Sequence, residues 1–190
     1  MNARYRANKR LGKILHQLTA KDGRKVILRI LEWKDVYDPV ELSNSIADED
    51  VDIATTQKIT REEYADQFKR RLALMEKGEV LRLVAEVEGK VIAGSELRKR
   101  SGHSRHVGNI GVGIRRGYRD IGIGTEIMRT LTAHAKTMGL GLIDLAVASS
   151  SKRAIHVYEK VGFKETGRIP KFYYRDGKYF DEVIMAKEIE

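Results

Sequence analysis

At 190 residues the chain is long enough for one ordinary domain with a full hydrophobic core. It contains no cysteine, which excludes disulfides, thiolate metal sites and a covalent cysteine intermediate. It also lacks the apolar run of about 18 residues that a membrane span needs, and the polar N-terminus lacks the apolar centre of a secretory signal, so no membrane partner and a cytoplasmic location are expected. The net charge of +9 is unevenly placed. Residues 1–25 carry Arg4, Arg6, Lys9, Arg10, Lys13, Lys21, Arg24 and Lys25 against Asp22 alone, so this stretch holds +7 and the other 165 residues only +2. The expected division is a basic N-terminal arm over 1–24 and a folded domain over 25–190. The arm could meet nucleic acid, but the nearly neutral body argues against nucleic acid as the main partner.

In chain order, Tyr5, Leu11, Ile14, Leu15 and Leu18 predict a short amphipathic helix over 4–18. Lys25 to Leu31 reads as a first strand, and Trp33 to Ser45 as a helix that tolerates Pro39 in its first turn. Glu41, Asp48, Glu49, Asp50 and Asp52 then form an acidic segment, either a solvated loop or a rim that attracts a cationic acceptor. Thr60-Arg61-Glu62-Glu63 is a capping box. The stripe Tyr64, Phe68, Leu72, Met75 follows it to a stop at Gly78. Residues 79–88 and 90–98 predict a β-hairpin turning at Glu88-Gly89-Lys90.

A strand over 106–114 carries Gly108, Gly111 and Gly113, a pattern that predicts a bulge or a ligand lying against backbone. The loop from Arg115 to Gly122 leads into a helix with Ile123, Ile127, Met128, Leu131, Ala135 and Met138 on one face and Gly139 at its end. Uncovered amides at such a helix start suit a phosphate. Arg115 and Arg116 are either part of that site or surface charges. Leu142 to Ala148 is apolar throughout, as a central strand would be. Ser149 to Ser151 offer helix caps, a short helix runs to Gly162, and strands near 163–169 and 180–187 enclose a tyrosine-rich loop. The result is one α/β domain with a mixed sheet and helices on its faces. His103, His106, His134 and His156 are not spaced as a metal site.

Two phosphate motifs fail on spacing. Gly124 is followed by Thr125 with no lysine, so there is no nucleotide P-loop, and Ile127 stands where a dinucleotide fingerprint needs its third glycine. What is present is Arg119-x-x-Gly122-x-Gly124, then Ser151-x-x-Ala154-x-x-x-Tyr158-x-x-x-Gly162-Phe163 about 30 residues later. Together these resemble the pyrophosphate loop and the downstream tyrosine segment of the GNAT superfamily of acetyl-CoA-dependent N-acetyltransferases, over residues 25 to 188. The resemblance implies a single-domain fold whose mostly antiparallel sheet splays at the cofactor strand, with acetyl-CoA as acyl donor, an amine acceptor and no metal.

The resemblance implies that the backbone of Val112, Gly113 and Ile114 pairs with the pantetheine arm. It implies that Arg119, Asp120, Ile121, Gly122, Ile123, Gly124 and Thr125 hold the pyrophosphate, and that Tyr158 faces the CoA sulfur as proton donor to the leaving thiolate. Ser151 replaces the family's usual asparagine. Ala146 and Asn109 fall where family members carry a catalytic glutamate, and neither is a base. Glu96, His106 and Asp144 are substitutes on neighbouring strands, beside a water path. In the family the acceptor enters between the first helices and the last hairpin, here the acidic segment and Lys171 to Phe180, and homodimers occur. Two other functions fit the sequence: a catalytically weak acyl-CoA-binding sensor or scaffold, and a nucleic-acid-associated protein acting through the basic arm.

Overall fold

The computed structural model describes residues 10–36, 38–48 and 60–190. Its strands are β1 (Ile14–Thr19), β2 (Lys25–Ile30), β3 (Val80–Val87), β4 (Lys90–Lys99), β5 (Val107–Ile114), β6 (Leu142–Ala148), β7 (Lys164–Arg175) and β8 (Lys178–Glu188). The helices are α1 (Asp38–Asp48), α2 (Arg61–Glu76), α3 (Ile123–Ala135) and α4 (Lys152–Lys160). Among the described residues these strands form one sheet in the order β1-β2-β3-β4-β5-β6-β8-β7, antiparallel at every junction except β5–β6. None of the described helices is long and apolar enough to cross a membrane.

Most local signals act as the sequence predicts. Thr60 accepts from the Glu63 amide while the Glu63 carboxylate accepts from the Thr60 amide, so the capping box is complete. Tyr64, Phe68, Leu72 and Met75 are all buried, and α2 seats on the sheet through that stripe. Ile123, Ile127, Met128, Leu131 and Ala135 do the same for α3. Glu88 and Gly89 both have positive φ, the mirror-image turn that matches the right-handed twist of a hairpin.

Three readings are corrected. Ile14 to Thr19 is a strand, not the second half of a helix: it satisfies its backbone against the free edge of β2, and residues 4–9 lie outside the described residues. A 3₁₀ turn at Trp33–Val36 comes before α1, because Asp35 accepts from the Glu32 amide and ties the turn to Arg29. Most of the tyrosine-rich loop is paired strand. Asp176 and Gly177, both at positive φ, make a tight turn between Arg175 and Lys178.

One buried ion pair anchors the entry to α1. Arg29 donates to both oxygens of Asp35 at 2.7 Å, and its Nε donates to Glu86 at 2.8 Å. Arg29 is 4% and Asp35 0% exposed, so neither charge has water as an alternative partner.

The two sheet faces are fixed by what the glycines touch. A Cβ on Gly113 would lie 2.9 Å from Ile46 of α1, so Gly113 and the residues in phase with it, Asn109 and Gly111, face α1 and α2. Ile114, one residue on, reaches within 3.3 Å of a Cβ position on Gly124 in the first turn of α3, so the alternate residues face α3.

Candidate active site

The parallel pairing of β5 with β6 runs only from Val107↔Leu142 to Asn109↔Asp144. Beyond that level β5 pairs only with β4, and β6 only with β8. The edge of β5 from Ile110 to Ile114 therefore has backbone groups without a strand partner among the described residues, and it includes Val112, Gly113 and Ile114. The pairing of β4 with β5 is regular, so the glycine-rich strand contains no bulge there. Each glycine has its own reason. Gly108 yields to Leu97 and Leu140, Gly113 yields to Ile46, and Gly111 is exposed with open space before it.

From the end of β5 the chain turns through residues 115–122 into α3. Gly117 has φ 82°, Asp120 φ 65° and Gly122, the N-cap, φ 98°, so the loop takes a positive-φ conformation three times. The Tyr118 amide donates to the Arg115 carbonyl at 3.2 Å, and from Asp120 onward the next amide with a backbone acceptor is that of Glu126, bonded to Gly122 at 3.2 Å. The amides of Asp120, Ile121, Gly122, Ile123, Gly124 and Thr125 have none among the described residues. They form a row of donors at a helix N-terminus, where the helix dipole adds to their attraction for an anion. Arg119 is not a free surface charge: its Nε donates to the carbonyl of Ile114 at 2.8 Å and closes the loop against the strand. Arg115 is half-buried, and its Nε lacks a partner among the described residues.

The turn between β1 and β2 reinforces this loop. Arg24 donates to the carbonyl of Gly117 at 2.7 Å and lies 4.2 Å over the Tyr118 ring, while Asp22 holds its Nε at 2.6 Å. The Lys21 amide donates to the Ile121 carbonyl at 3.1 Å. These residues belong to the stretch expected to be an arm, and nothing in their spacing announces the contact.

On the other side of the gap, α4 leaves the open end of β6 and packs beside α3. Ser151 is its N-cap but makes no side-chain cap bond, because its backbone (φ −76°, ψ 54°) is not in the extended conformation that capping needs. Ser149 instead accepts from the Asp181 amide at 3.1 Å, and the Ser150 hydroxyl is buried without a partner among the described residues. Tyr158 is half-buried against Phe163, with ring centroids 6.2 Å apart. Burial pushes its phenol above the ordinary tyrosine value, so it keeps its proton throughout the neutral range.

The expected bases fare differently. Burial alone would raise the Glu96 carboxyl, but Arg82, Arg98 and Arg71 outweigh it and hold Glu96 below its ordinary value. Asp144 accepts from Asn109 and from Arg100, each at 2.7 Å. His106 is exposed at the closed end, before the β5–β6 pairing begins. Ala146 is exposed beside the gap. Glu182, which the sequence reading missed, faces the same side: it pairs with Ala148, two residues along β6 from Ala146, and accepts from the Tyr173 hydroxyl at 2.9 Å. Only the register of β8 on β6 brings it there. Of the acidic segment, Asp48 closes α1, while Glu49, Asp50 and Asp52 lie outside the described residues. Among the described residues no group of three or more His, Asp or Glu is placed to hold a metal ion.

Residues 44–163, which include the parting strand, the turn and the helix with bare amides, match the model of the acetyltransferase (GNAT) family. The chain belongs to the GNAT family. An L-amino acid N-acetyltransferase of Escherichia coli is 28% identical over 111 residues, covering 57% of this chain and 68% of that protein. Matches to curated relatives span between 38% and 98% of those proteins' own length. The GNAT fold recurs in a Streptococcus pneumoniae acetyltransferase, with a TM-score of 0.78 at 23% identity, covering 87% of this chain and 99% of that one. It recurs in a Sinorhizobium meliloti phosphinothricin acetyltransferase solved with acetyl-CoA, with a TM-score of 0.76 at 16% identity, covering 90% and 89%. This chain is thus an acyltransferase with a mixed α/β, mostly antiparallel GNAT sheet.

Proposed function

We propose that this GNAT protein transfers the acetyl group of acetyl-CoA directly to a primary amine. The observation that carries the reading is the row of amides from Asp120 to Thr125 without a backbone acceptor among the described residues, following a strand whose edge from Ile110 to Ile114 has no strand partner among them. The amides suit the pyrophosphate, with the Arg115 side chain adding positive charge. The open edge at Val112, Gly113 and Ile114 suits the amide-bearing pantetheine arm, which would extend β5 as a strand does. Ser150 and Ser151 lie at the start of α4, across the gap.

The amine nitrogen attacks the thioester carbonyl carbon, the C–S bond breaks, and sulfur leaves with the electron pair. Tyr158 gives its proton to that sulfur; its burial keeps the phenol protonated until then. With no cysteine in the chain, attack within one complex replaces a covalent relay. The amine must be neutral to attack, and an alkylamine has a pKa of about 10.4. We assign Glu182, through water, to take that proton, since Glu96 and Asp144 are committed to arginines.

The occupied state of Glu96 and Asp144 favours a second reading, an acyl-CoA-binding protein with little turnover. Release of free CoA in the presence of a panel of amines, amino acids and short peptides decides between them. The transferase reading expects turnover that Tyr158→Phe reduces while acetyl-CoA affinity, measured by calorimetry, holds. Tight binding with no turnover across the panel would establish the second reading. No binding at millimolar acetyl-CoA would remove both.

A further inference from the structure

On the face covered by α1 and α2, three guanidiniums surround one carboxylate. Glu96 accepts from Arg82 and from the Nε of Arg98, both at 2.8 Å, and Arg71 of α2 approaches it to 3.8 Å. Two positive charges are left without a counter-ion among the described residues. Arg71 lies 5.5 Å from the centroid of the Tyr64 ring. Tyr64 is 3% exposed, and its hydroxyl, although Arg71 interacts with it, makes no well-aligned hydrogen bond among the described residues; the buried Nε of Arg82 has no partner among them. A buried hydroxyl and a buried N–H are costly to leave unmade. Beside uncompensated cations, they mark a place for oxygen atoms from outside the chain.

The place borders the gap. Glu96 pairs with Gly111, and Arg98 with Asn109, so these side chains share the face on which Gly111 leaves open space. Cross-strand neighbours stand about 5 Å apart. A small acceptor resting on Gly111 would thus touch the cluster while its amine reached the thioester. The side chains of Arg71 and Arg82 are only 24% and 15% exposed, in a recess beneath α2 rather than along an open basic stripe.

Resting on the transferase reading above, we propose that Arg71, Arg82 and Arg98, with the Tyr64 hydroxyl, hold a carboxylate of the acceptor. The substrate is then an amine that carries an acidic group close to the nitrogen, either a free amino acid or a peptide with an acidic residue at its N-terminal end. A guanidinium fork matches the two oxygens of a carboxylate. Glu96 stays ionised and aligns the arginines, which also explains why it is unsuited to be the base.

The test uses matched acceptors: free amino acids against their α-amides, and dipeptides with an acidic second residue against neutral counterparts. Each is followed by CoA release and by calorimetric titration into the CoA-bound protein. The expected result is a preference for the acidic member of one pair type of about tenfold or more, in KM and in Kd, the scale of a charged hydrogen bond. Which pair type shows it separates amino acid from peptide. Arg98→Gln and Arg71→Gln should abolish the preference, and Arg105→Gln, an exposed arginine outside the cluster, should keep it. Neutral acceptors binding as well as acidic ones, or Arg98→Gln weakening both members equally, would overturn the proposal. Absence of CoA release with the binding preference intact would instead overturn the transferase reading and leave a carboxylate site.

Discussion

The two sides of the candidate site are built in opposite ways. On the proposed donor side, one contiguous run from Val112 to Thr125 supplies an open strand edge, three positive-φ residues and six amides without a backbone acceptor among the described residues. In the function proposed above, recognition on this side rests on backbone. On the acceptor side, Tyr64, Arg71, Arg82, Glu96, Gly111, Glu182 and Tyr173 come from α2, β3, β4, β5, β8 and β7. In the proposal above, recognition there rests on side chains gathered over long sequence distances. A backbone site for a molecule that never changes can be written into a short motif. A side-chain site can be rebuilt around it without disturbing that motif, so one fold can serve many acceptors.

The largest expected effect is that of removing the proposed proton donor. Tyr158→Phe should lower kcat about a hundredfold, the scale of general acid catalysis, with acetyl-CoA affinity unchanged. The pH profile adds a check. Because burial raises the folded-state value, the phenol remains a proton donor past the ordinary tyrosine value of about 10, so an alkaline fall in rate that depends on Tyr158 should lie above that pH. A fall centred below 10 and lost in Tyr158→Phe would contradict it. By the same sign, its contribution to stability is intact below about pH 10 and is lost as pH rises through the folded-state value.

Asp35→Ala comes next and tests the scaffold of the acceptor side. It leaves Arg29 buried with Glu86 and, at 3.4 Å, Glu32. Those remaining partners place the loss at the lower end of the range for broken buried pairs, about 3 kcal/mol, measurable by urea denaturation. Loss of less than about 1 kcal/mol would mean that Glu86 and Glu32 suffice.

Gly122→Val addresses the donor side alone. Open space surrounds the site, so the cost is the strain of a β-branched residue at φ 98°. Acetyl-CoA Kd should rise about tenfold, corresponding to strain of about 1–2 kcal/mol, with acceptor preference unchanged. The smallest effect expected to be measurable is that of Arg24→Ala, which frees the loop carbonyl at Gly117 and uncovers Tyr118 and should weaken acetyl-CoA a few-fold. Arg153→Ala, which removes an ion pair with Asp120 whose side chains are 79% and 60% exposed, should change nothing by the same titration. If the two substitutions act alike, the β1–β2 turn is not a support of the loop.

The donor side was legible in the sequence because its information is local. Glycine spacing, the helix stripe of α3 and the Tyr158 segment each depend on residues a few positions apart, and the structure shows positive φ in the turn, a buried α3 stripe and α4 packed beside α3. Sequence reading failed where a partner decides. Leu11, Ile14, Leu15 and Leu18 fit a helical period, yet residues 14–19 form a strand because β2 presents a free edge. Asp176-Gly177 carried a hairpin signal that the surrounding tyrosines obscured. Glu96, offered as a base, is held by arginines from β3 and α2 that no spacing reveals.

By itself the sequence determined the fold family and the glycine-bearing turn into α3, since positive φ and bare amides follow from short-range sterics. Only the tertiary structure decided where β5 and β6 part, which carboxylates remain available, and that uncompensated arginines flank the gap. Those depend on strand register and helix docking, and a side chain acquires its charge environment only when distant elements pack against it.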